Sequence, residues 1–307
     1  MTQIERIIHD GIVDKDFLKE EIIYDFKVTQ KLKKIQAIAL DMLLKFDSVC
    51  KKHNLNYFLA FGTLLGAVRH KGFIPWDEDL DVLMPREDYE RFIHLSEDFE
   101  HPYFLQTPET DKGYLGGIAR IRNSETCGFH HYWGPTGYNS GLWIDVFPLD
   151  NCKMEDREEM FNKIDYYNSY NSAFMKIAGN KVNEKGRNLL LNNLDLSPKA
   201  SVAKIRQLAQ KYKNQETQYV TVYVSTGISK WDRLTWEKSC FAKSIEMDYC
   251  GYTFPGPIGY DMILRTTYGN YMEFPPLEER DTRHPMFTLD PDKPYLVFFA
   301  ENGIVRT

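Results

Sequence analysis

Two carboxylates at alternate positions mark the segment Trp76-Asp77-Glu78-Asp79-Leu80-Asp81-Val82. Asp79 and Asp81 flank one apolar residue, and the chain then continues into an apolar run. If residues 80–84 form a strand, successive side chains alternate between its faces, so Asp79 and Asp81 project from the same side, about 6–7 Å apart at their backbones. Carboxylates at that separation can converge on one divalent cation. The pair therefore predicts a site for Mg²⁺ or Mn²⁺.

The environment of these acids favours the metal interpretation. An acidic pair is more often a solvated surface, but this one lies between Phe73-Ile74-Pro75-Trp76 and Val82-Leu83-Met84, which are too apolar for a solvated face. Burying several carboxylates without a counter-charge is costly, and a bound cation is the simplest remedy. Asp77 is open to two interpretations, a turn residue bonded to its own backbone or a ligand beyond the first coordination sphere.

A glycine-threonine turn precedes the acids. A helix-compatible run begins at Thr63 and is stopped by Gly72, so the backbone amides of Gly62 and Thr63 fall at a helix N-terminus. Free N–H groups and the helix dipole favour phosphate oxygens there. Phosphate on one side and metal on the other predict phosphoryl transfer. Arg69, with the two basic residues that follow it, either complements the dipole at the helix end or contacts substrate, and the sequence leaves both open.

A third acid stands inside the apolar run Leu142-Trp143-Ile144-Asp145-Val146-Phe147. Asp145 could cap a turn or pair with a buried arginine. Alternatively, it would complete the cation site of Asp79 and Asp81, or accept the proton of an attacking hydroxyl as a general base. We expect Asp145 to be both a metal ligand and a catalytic group.

Two arginines stand two positions apart on a predicted strand. Arg120 and Arg122 should therefore face one side of the sheet. A guanidinium pair aimed into a cleft is a good clamp for a diphosphate, because its planar fork matches phosphate oxygens. Ion pairs with the acids are the alternative of equal weight.

An aromatic cluster extends from His130 through Tyr138 to Trp143. Most such clusters are core, but one beside a phosphoryl-transfer site could form a cage for a quaternary ammonium group. His130 and His131 cannot both be ligands of one metal, since adjacent strand residues face opposite sides.

Composition excludes several classes of protein. The chain has 307 residues and a net charge of −6, which argues against broad electrostatic binding to nucleic acid. Its five cysteines form no Cys-x-x-Cys pair, so neither a zinc site nor a disulfide framework is indicated. The N-terminal residues lack a signal-peptide pattern and no apolar run reaches membrane-spanning length, so a cytoplasmic location is expected, with peripheral contact at the inner face of the membrane left open.

The order of predicted elements indicates an α+β fold. We expect a mixed sheet flanked by helices, a helical insertion and a C-terminal α/β extension, all within one domain. Residues 179–193 are expected to be a mobile loop and the residues after Pro285 a peripheral tail. The predicted divisions are N-terminal helices at 16–53, a core at about 57–150, the insertion at about 151–215, a C-terminal part at about 216–276 and a tail at 277–307.

These motifs together resemble the LicD family, the phosphocholine transferases related to fukutin and fukutin-related protein. The resemblance depends on the segment from Gly62 to Val82, on Arg120-x-Arg122, on Ile144-Asp145-Val146-Phe147-Pro148-Leu149 and on Tyr268-Gly269-Asn270-Tyr271-Met272-Glu273-Phe274-Pro275-Pro276. It covers roughly residues 32–276. The family pattern usually has a third acid where Glu78 stands, so Glu78 is a conservative departure, and we expect it to point away from the metal.

The resemblance implies a nucleotidyltransferase-like fold and metal-dependent transfer of a phospho-alcohol to a sugar hydroxyl of a cell-surface glycan precursor. The implied donor is a CDP-linked alcohol, most often CDP-choline or CDP-ribitol, and the implied acceptor is a glycan or lipid-linked oligosaccharide such as a teichoic acid or lipopolysaccharide precursor. Two alternatives stay open: true nucleotidyl transfer by the same residues, and a non-catalytic glycan-binding protein, against which the three intact acids argue.

Overall fold

The computed structural model describes residues 2–131, 137–178, 180–223, 231–280 and 287–304. Its α-helices, in chain order, are α1 (Gln3–His9), α2 (Gln30–Lys52), α3 (Phe61–Arg69), α4 (Arg86–Phe92), α5 (Arg157–Ala178), α6 (Glu184–Leu191), α7 (Pro198–Ala209), α8 (Tyr260–Tyr268) and α9 (Tyr295–Glu301). Its strands are β1 (Glu21–Ile23), β2 (Phe26–Val28), β3 (Phe58–Leu59), β4 (Asp81–Pro85), β5 (Tyr103–Gln106), β6 (Ala119–Asn123), β7 (Cys127–His130), β8 (Leu142–Cys152), β9 (Tyr219–Thr221), β10 (Thr235–Glu237), β11 (Ser244–Tyr249), β12 (Tyr252–Pro257) and β13 (Phe287–Asp290).

A mixed sheet of seven strands forms the centre of the fold, which confirms the predicted α+β class. Its longest strand, β8, pairs in parallel with β4 and antiparallel with β6 and β9. The strands β3, β5 and β10 extend the sheet from β4, β6 and β9. Since β8 is buried over most of its length, it reads in the sequence as an almost continuous apolar run.

Helix α2 supports this sheet. The hydroxyl of Thr29 caps it by accepting from the Leu32 N–H, and apolar residues then recur at helical spacing on the face that packs against β8 and β6. Ile38, Leu43 and Phe46 on that face are fully buried. The helix therefore supports the sheet whose strands β4, β6 and β8 contain the candidate site residues.

Two segments differ from the sequence-based expectation. Residues 184–191 form α6, started by the Asn183 side chain, which accepts from the Gly186 N–H, so the region expected to be a mobile loop contains a capped helix. The residues after Pro285 are not a peripheral tail where the structure describes them: β13 pairs with β7, and α9 buries Tyr295 and Phe299. Helix α6 packs against the neighbouring α5, whereas β13 depends on β7, a partner distant along the chain. No helix in the described ranges has the length and apolarity needed to cross a bilayer.

Candidate active site

Three charged residues lie in one row across the middle of the sheet. In the parallel register of β4 and β8, Asp81 stands opposite Asp145. In the antiparallel register of β6 and β8, Arg120 stands opposite the same Asp145. Directly opposed residues of neighbouring strands present their side chains on the same face. The sheet therefore brings Asp81, Asp145 and Arg120 together, as the sequence predicted for the two acids.

The first turn of α3 contacts this row. The helix begins at Phe61, so Gly62 and Thr63 lie in its first turn, as predicted. The Thr63 hydroxyl is buried and accepts a hydrogen bond from the Asp81 N–H at 2.8 Å. At Gly62, a Cβ atom would meet Oδ2 of Asp77 at 2.7 Å, so only glycine fits there without displacing this carboxylate. The turn and the acidic segment are thus in direct contact.

Asp79 lies just before the strand, since β4 begins at Asp81. The alternation argument therefore does not by itself place the Asp79 side chain. The electrostatic environment does bring it close: the pKa of Asp81 is raised well above its ordinary value, first by burial and then by the negative charges of Asp79, Asp145 and Asp77, with Arg120 opposing. Several carboxylates consequently share one space. A cation in that space would relieve their mutual repulsion.

Asp145 is engaged on both oxygens. Oδ1 accepts from Arg120 Nε at 2.6 Å, and Oδ2 accepts from the indole Nε1 of Trp143 at 3.1 Å. The Arg120 guanidinium lies 5.1 Å from the Trp143 ring centroid and 5.6 Å from that of Tyr114. Burial opposes the charge on Arg120, but Asp145 and Tyr114 raise its pKa above the ordinary value. The ion pair with an acid, one of the two alternatives for Arg120, is what the structure contains.

Metal binding by these acids stays a prediction. In the part of the chain that the structure describes, no group of three or more His, Cys, Asp or Glu side chains is arranged to hold a metal ion. Asp145 accepts hydrogen bonds from Arg120 and Trp143, and its role as a metal ligand stays a prediction. Asp79 and Asp81 suit Mg²⁺, which prefers oxygen ligands and commonly uses one or two carboxylates together with substrate phosphates and water.

Arg122 does not join Arg120 in a clamp. Its guanidinium is buried, donating to Oε1 of Gln106 at 2.8 Å and to the carbonyl of Gly141 at 2.6 Å. Burial and the neighbouring Arg120 lower its pKa to about 10. The prediction of a paired diphosphate clamp is corrected accordingly. Arg122 instead links β6 to Gln106 at the end of β5 and to Gly141 just before β8, because oxygens of these two residues accept from its guanidinium.

Arg69 also contacts protein rather than open space. It donates to the carbonyls of Tyr271 and Glu273 at 2.7 and 3.1 Å, and its guanidinium lies 4.9 Å from the Phe274 ring centroid. The end of α3 is thereby tied to residues 271–274. Arg69 therefore anchors the C-terminal segment in the structure, and a contact between Arg69 and substrate stays a prediction.

The aromatic cluster falls partly outside the described residues, which omit 132–136. Within them, Phe287 of β13 packs on Trp143 and on His130, with ring centroids 4.7 and 4.5 Å away. Burial lowers the pKa of His130 to about 4. Of the described cluster residues, His130, Tyr138 and Trp143 are buried in the core, and the cage for a quaternary ammonium stays a prediction.

Sequence reasoning missed two supports of the site. Trp143 was noted only as an aromatic, although its indole N–H donates to Asp145. Gln36 of α2 is buried and donates to the Asp77 carbonyl at 2.9 Å. A glutamine among the apolar positions of α2 was the available signal. Glu78 is buried, and the expectation that its side chain points away from a metal stays a prediction.

Comparison with known proteins identifies the family of this domain. Residues 54–177 match the family described as LicD/FKTN/FKRP, nucleotidyltransferase domain, and this range contains every predicted site residue. The chain thus carries a LicD-family domain, which confirms the resemblance. It is 29% identical over 262 residues, 82% of this chain and 96% of the relative, to the lipopolysaccharide cholinephosphotransferase LicD of Haemophilus influenzae. An uncharacterized protein of Rickettsia prowazekii is 38% identical over 113 residues, 36% of this chain and 37% of that protein. These similarities support a transferase.

Proposed function

We propose that this protein transfers phosphocholine, or a related phospho-alcohol, from a CDP-linked donor to a sugar hydroxyl of a cell-surface glycan precursor. The observation that carries the proposal is the row of Asp81, Asp145 and Arg120 beside the first turn of α3. The extended similarity to a lipopolysaccharide cholinephosphotransferase supports phosphocholine as the group and a glycan as the acceptor. We further propose the expected cytoplasmic location, with the acceptor met at the inner face of the membrane.

The donor diphosphate would lie between α3 and the acids. The amides of Gly62 and Thr63 in the first turn of α3 would bind phosphate oxygens. Arg120, whose Nη1 is buried without a hydrogen-bond partner among the described residues, would neutralise charge that develops on the transferred phosphoryl group. Asp79 and Asp81 would hold Mg²⁺ or Mn²⁺, which when bound supplies positive charge to the diphosphate.

The reaction would exchange one phosphorus–oxygen bond for another. The sugar hydroxyl attacks the phosphorus on the alcohol side, the bond from that phosphorus to the bridging oxygen breaks, and CMP leaves with the bond's electron pair. Asp145 would accept the hydroxyl proton. The Asp145 carboxylate accepts hydrogen bonds from Arg120 and Trp143, and these two bonds fix its orientation.

Labelled donor tests the direction of transfer. CDP-choline carrying ³²P on the choline-side phosphate, incubated with protein and a lipopolysaccharide or teichoic acid precursor, should place label in the glycan and release unlabelled CMP. Label that remains with phosphocholine while CMP joins the acceptor would show nucleotidyl transfer and contradict the proposal. Substituting CDP-ribitol in the same assay decides which alcohol is carried.

Single substitutions test the acids. Asp79→Asn and Asp81→Asn should each abolish transfer. The melting temperature should stay unchanged or rise slightly, because removing one of several crowded carboxylates relieves their repulsion. Asp88→Asn, outside the row, is the matched control and should keep full activity. Turnover that survives either change at the row would show that the acids do not perform this chemistry.

A further inference from the structure

A cleft of about 1030 Å³ separates α7 from the loop that joins β5 to β6. Its size is at the upper end of small-molecule sites, about 300–1,000 Å³. Its lining is mainly apolar, and two of the side chains are substantially exposed, Phe174 at 42% and Ile177 at 50%. The apolar lining includes Pro108, Leu115, Phe174, Ile177, Val202 and Ala203. A concave apolar surface left open to water is typical of a binding site.

Hydrogen bonds hold both walls of the cleft in place. On the α7 side, Arg206 and Gln210 both bind Glu90 of α4, at 3.2 and 2.8 Å to the same carboxylate oxygen. On the loop side, the Gln106 amide donates to Asp111 at 2.8 Å, and the loop begins with a hydrogen-bonded turn at Thr107. Arg206 also pairs with Glu109 of the loop at 3.5 Å, so contacts within the protein hold both walls in place without a ligand.

The charge at the cleft is positive. Lys112 and Lys199 line it, and neither forms an ion pair with another of the described residues. The two carboxylates that also line it, Glu90 and Glu109, are both paired with Arg206. The cleft further contains the N-terminal turn of α7, whose dipole favours an anion near Lys199, although Pro198 has no N–H and the Ala200 N–H already donates to the Ser197 hydroxyl. An apolar groove with an anion site at its edge suits an amphiphile that carries phosphate.

The loop that forms one wall connects the cleft to the catalytic row. Tyr114 of this loop is buried, and its ring contacts the Arg120 guanidinium that binds Asp145. The carbonyl of Leu115, which lines the cleft, accepts from Asn171 of α5 at 3.4 Å. One short segment thus contacts the cleft with Leu115 and the catalytic row with Tyr114. A molecule in the cleft is within one loop of the reacting groups.

We propose that this cleft binds the apolar chain and the phosphate of a lipid-linked glycan acceptor, and so presents its sugar to the catalytic row. The name acceptor rests on the proposed function, whereas binding of a phosphate-bearing amphiphile does not. The apolar chain lies along Phe174, Ile177 and Val202. The phosphate lies between Lys112 and Lys199 at the start of α7.

Dodecyl phosphate below its critical micelle concentration is the probe, titrated calorimetrically into the full-length protein. Lys199→Glu should weaken its binding on the order of tenfold or more, because a cation at the phosphate becomes an anion. Lys204→Glu makes the same charge change on the same helix outside the cleft lining and should alter binding less than about twofold. Ala203→Glu, at an exposed position of the apolar wall, should also weaken binding about tenfold. Dodecyl maltoside, with a neutral head, should bind more weakly than dodecyl phosphate.

The outcomes separate this site from the proposed function. Absence of dodecyl phosphate binding in protein that binds Mg²⁺ and CDP-choline overturns the cleft site and leaves the transfer reaction standing. Binding that depends on Lys199 in protein that transfers from no CDP-alcohol supports the site and contradicts the reaction. Binding to phosphatidylglycerol vesicles without binding to monomeric dodecyl phosphate would indicate a membrane surface and overturn the proposal.

Discussion

The hydrogen bond from the Asp81 N–H to the Thr63 hydroxyl joins the phosphate-facing turn to the acidic strand, and Thr63→Val removes it without changing the side-chain volume much. Thr63 is 2% exposed and the bond measures 2.8 Å, so the substitution leaves a buried N–H unsatisfied. Such a group costs about 1–3 kcal/mol. We therefore expect the free energy of unfolding, measured by urea titration, to fall by about 2 kcal/mol.

Transfer should decrease more than this loss of stability explains. Release of the Asp81 backbone lets its carboxylate move, and a displacement of about 1 Å in a catalytic group can cost about a hundredfold in rate. We expect kcat to fall about ten- to a hundredfold under conditions where Thr63→Val is still fully folded. Thr63→Ser keeps the hydroxyl and should retain most of the activity, with a loss of about 1 kcal/mol for the missing methyl group.

A second threonine provides the control for a simple loss of stability. Thr221 in β9 is fully buried and donates to the Leu234 carbonyl at 2.7 Å, away from the catalytic row. Thr221→Val should destabilise the protein to a similar extent and leave kcat unchanged. Equal effects of Thr63→Val and Thr221→Val on kcat, or none from either, would refute the proposed role of the Thr63 bond.

Two further predictions concern stability. Asp150 is 1% exposed and accepts from Arg86 through both oxygens, each at 2.6 Å, so Asp150→Asn should lower the free energy of unfolding, measured in urea, by about 3 kcal/mol. Asp261→Asn, which alters an exposed ion pair with Arg265, should have no measurable effect on that free energy. A similar small loss in both variants would contradict this prediction. Burial and Arg69 lower the pKa of His70 to about 4, and its ring accepts from Arg69 Nε as a neutral imidazole. The unfolded chain, with a histidine pKa near about 6.5, binds more protons between these values, so stability should fall as the pH falls from about 6.5 to 4. His70→Gln should flatten that slope in urea titrations at several pH values, and an unchanged slope would exclude His70 as its source.

The local patterns of the sequence predicted most of the fold correctly. The apolar period of α2, the apolar run of β8 and the turn at Gly62 are each set by residues close together in the sequence. The contact between Asp81 and Asp145 was also within reach, because acids in two buried strands are costly unless they share a counter-charge. Long-range pairings were not: β13 joins β7, and nothing near Phe287 indicates its partner.

The arginines show why a site is harder to predict than a fold. The spacing of Arg120 and Arg122 put both on one face, which β6 confirms. Their partners, however, are Asp145 in one case and Gln106 with a loop carbonyl in the other. A guanidinium satisfies its donors with whichever oxygens the tertiary structure brings near, and periodicity contains no information about those oxygens.

Binding of Mn²⁺ followed by electron paramagnetic resonance, with CDP-choline present, tests the central claim most directly. Bound Mn²⁺ loses its sharp free-ion signal, so the number of sites is read from the remaining free ion. The account predicts one site in the unaltered protein and in Asp88→Asn, and loss of that site in Asp79→Asn and in Asp81→Asn. Undiminished Mn²⁺ binding by either of these two variants would contradict it.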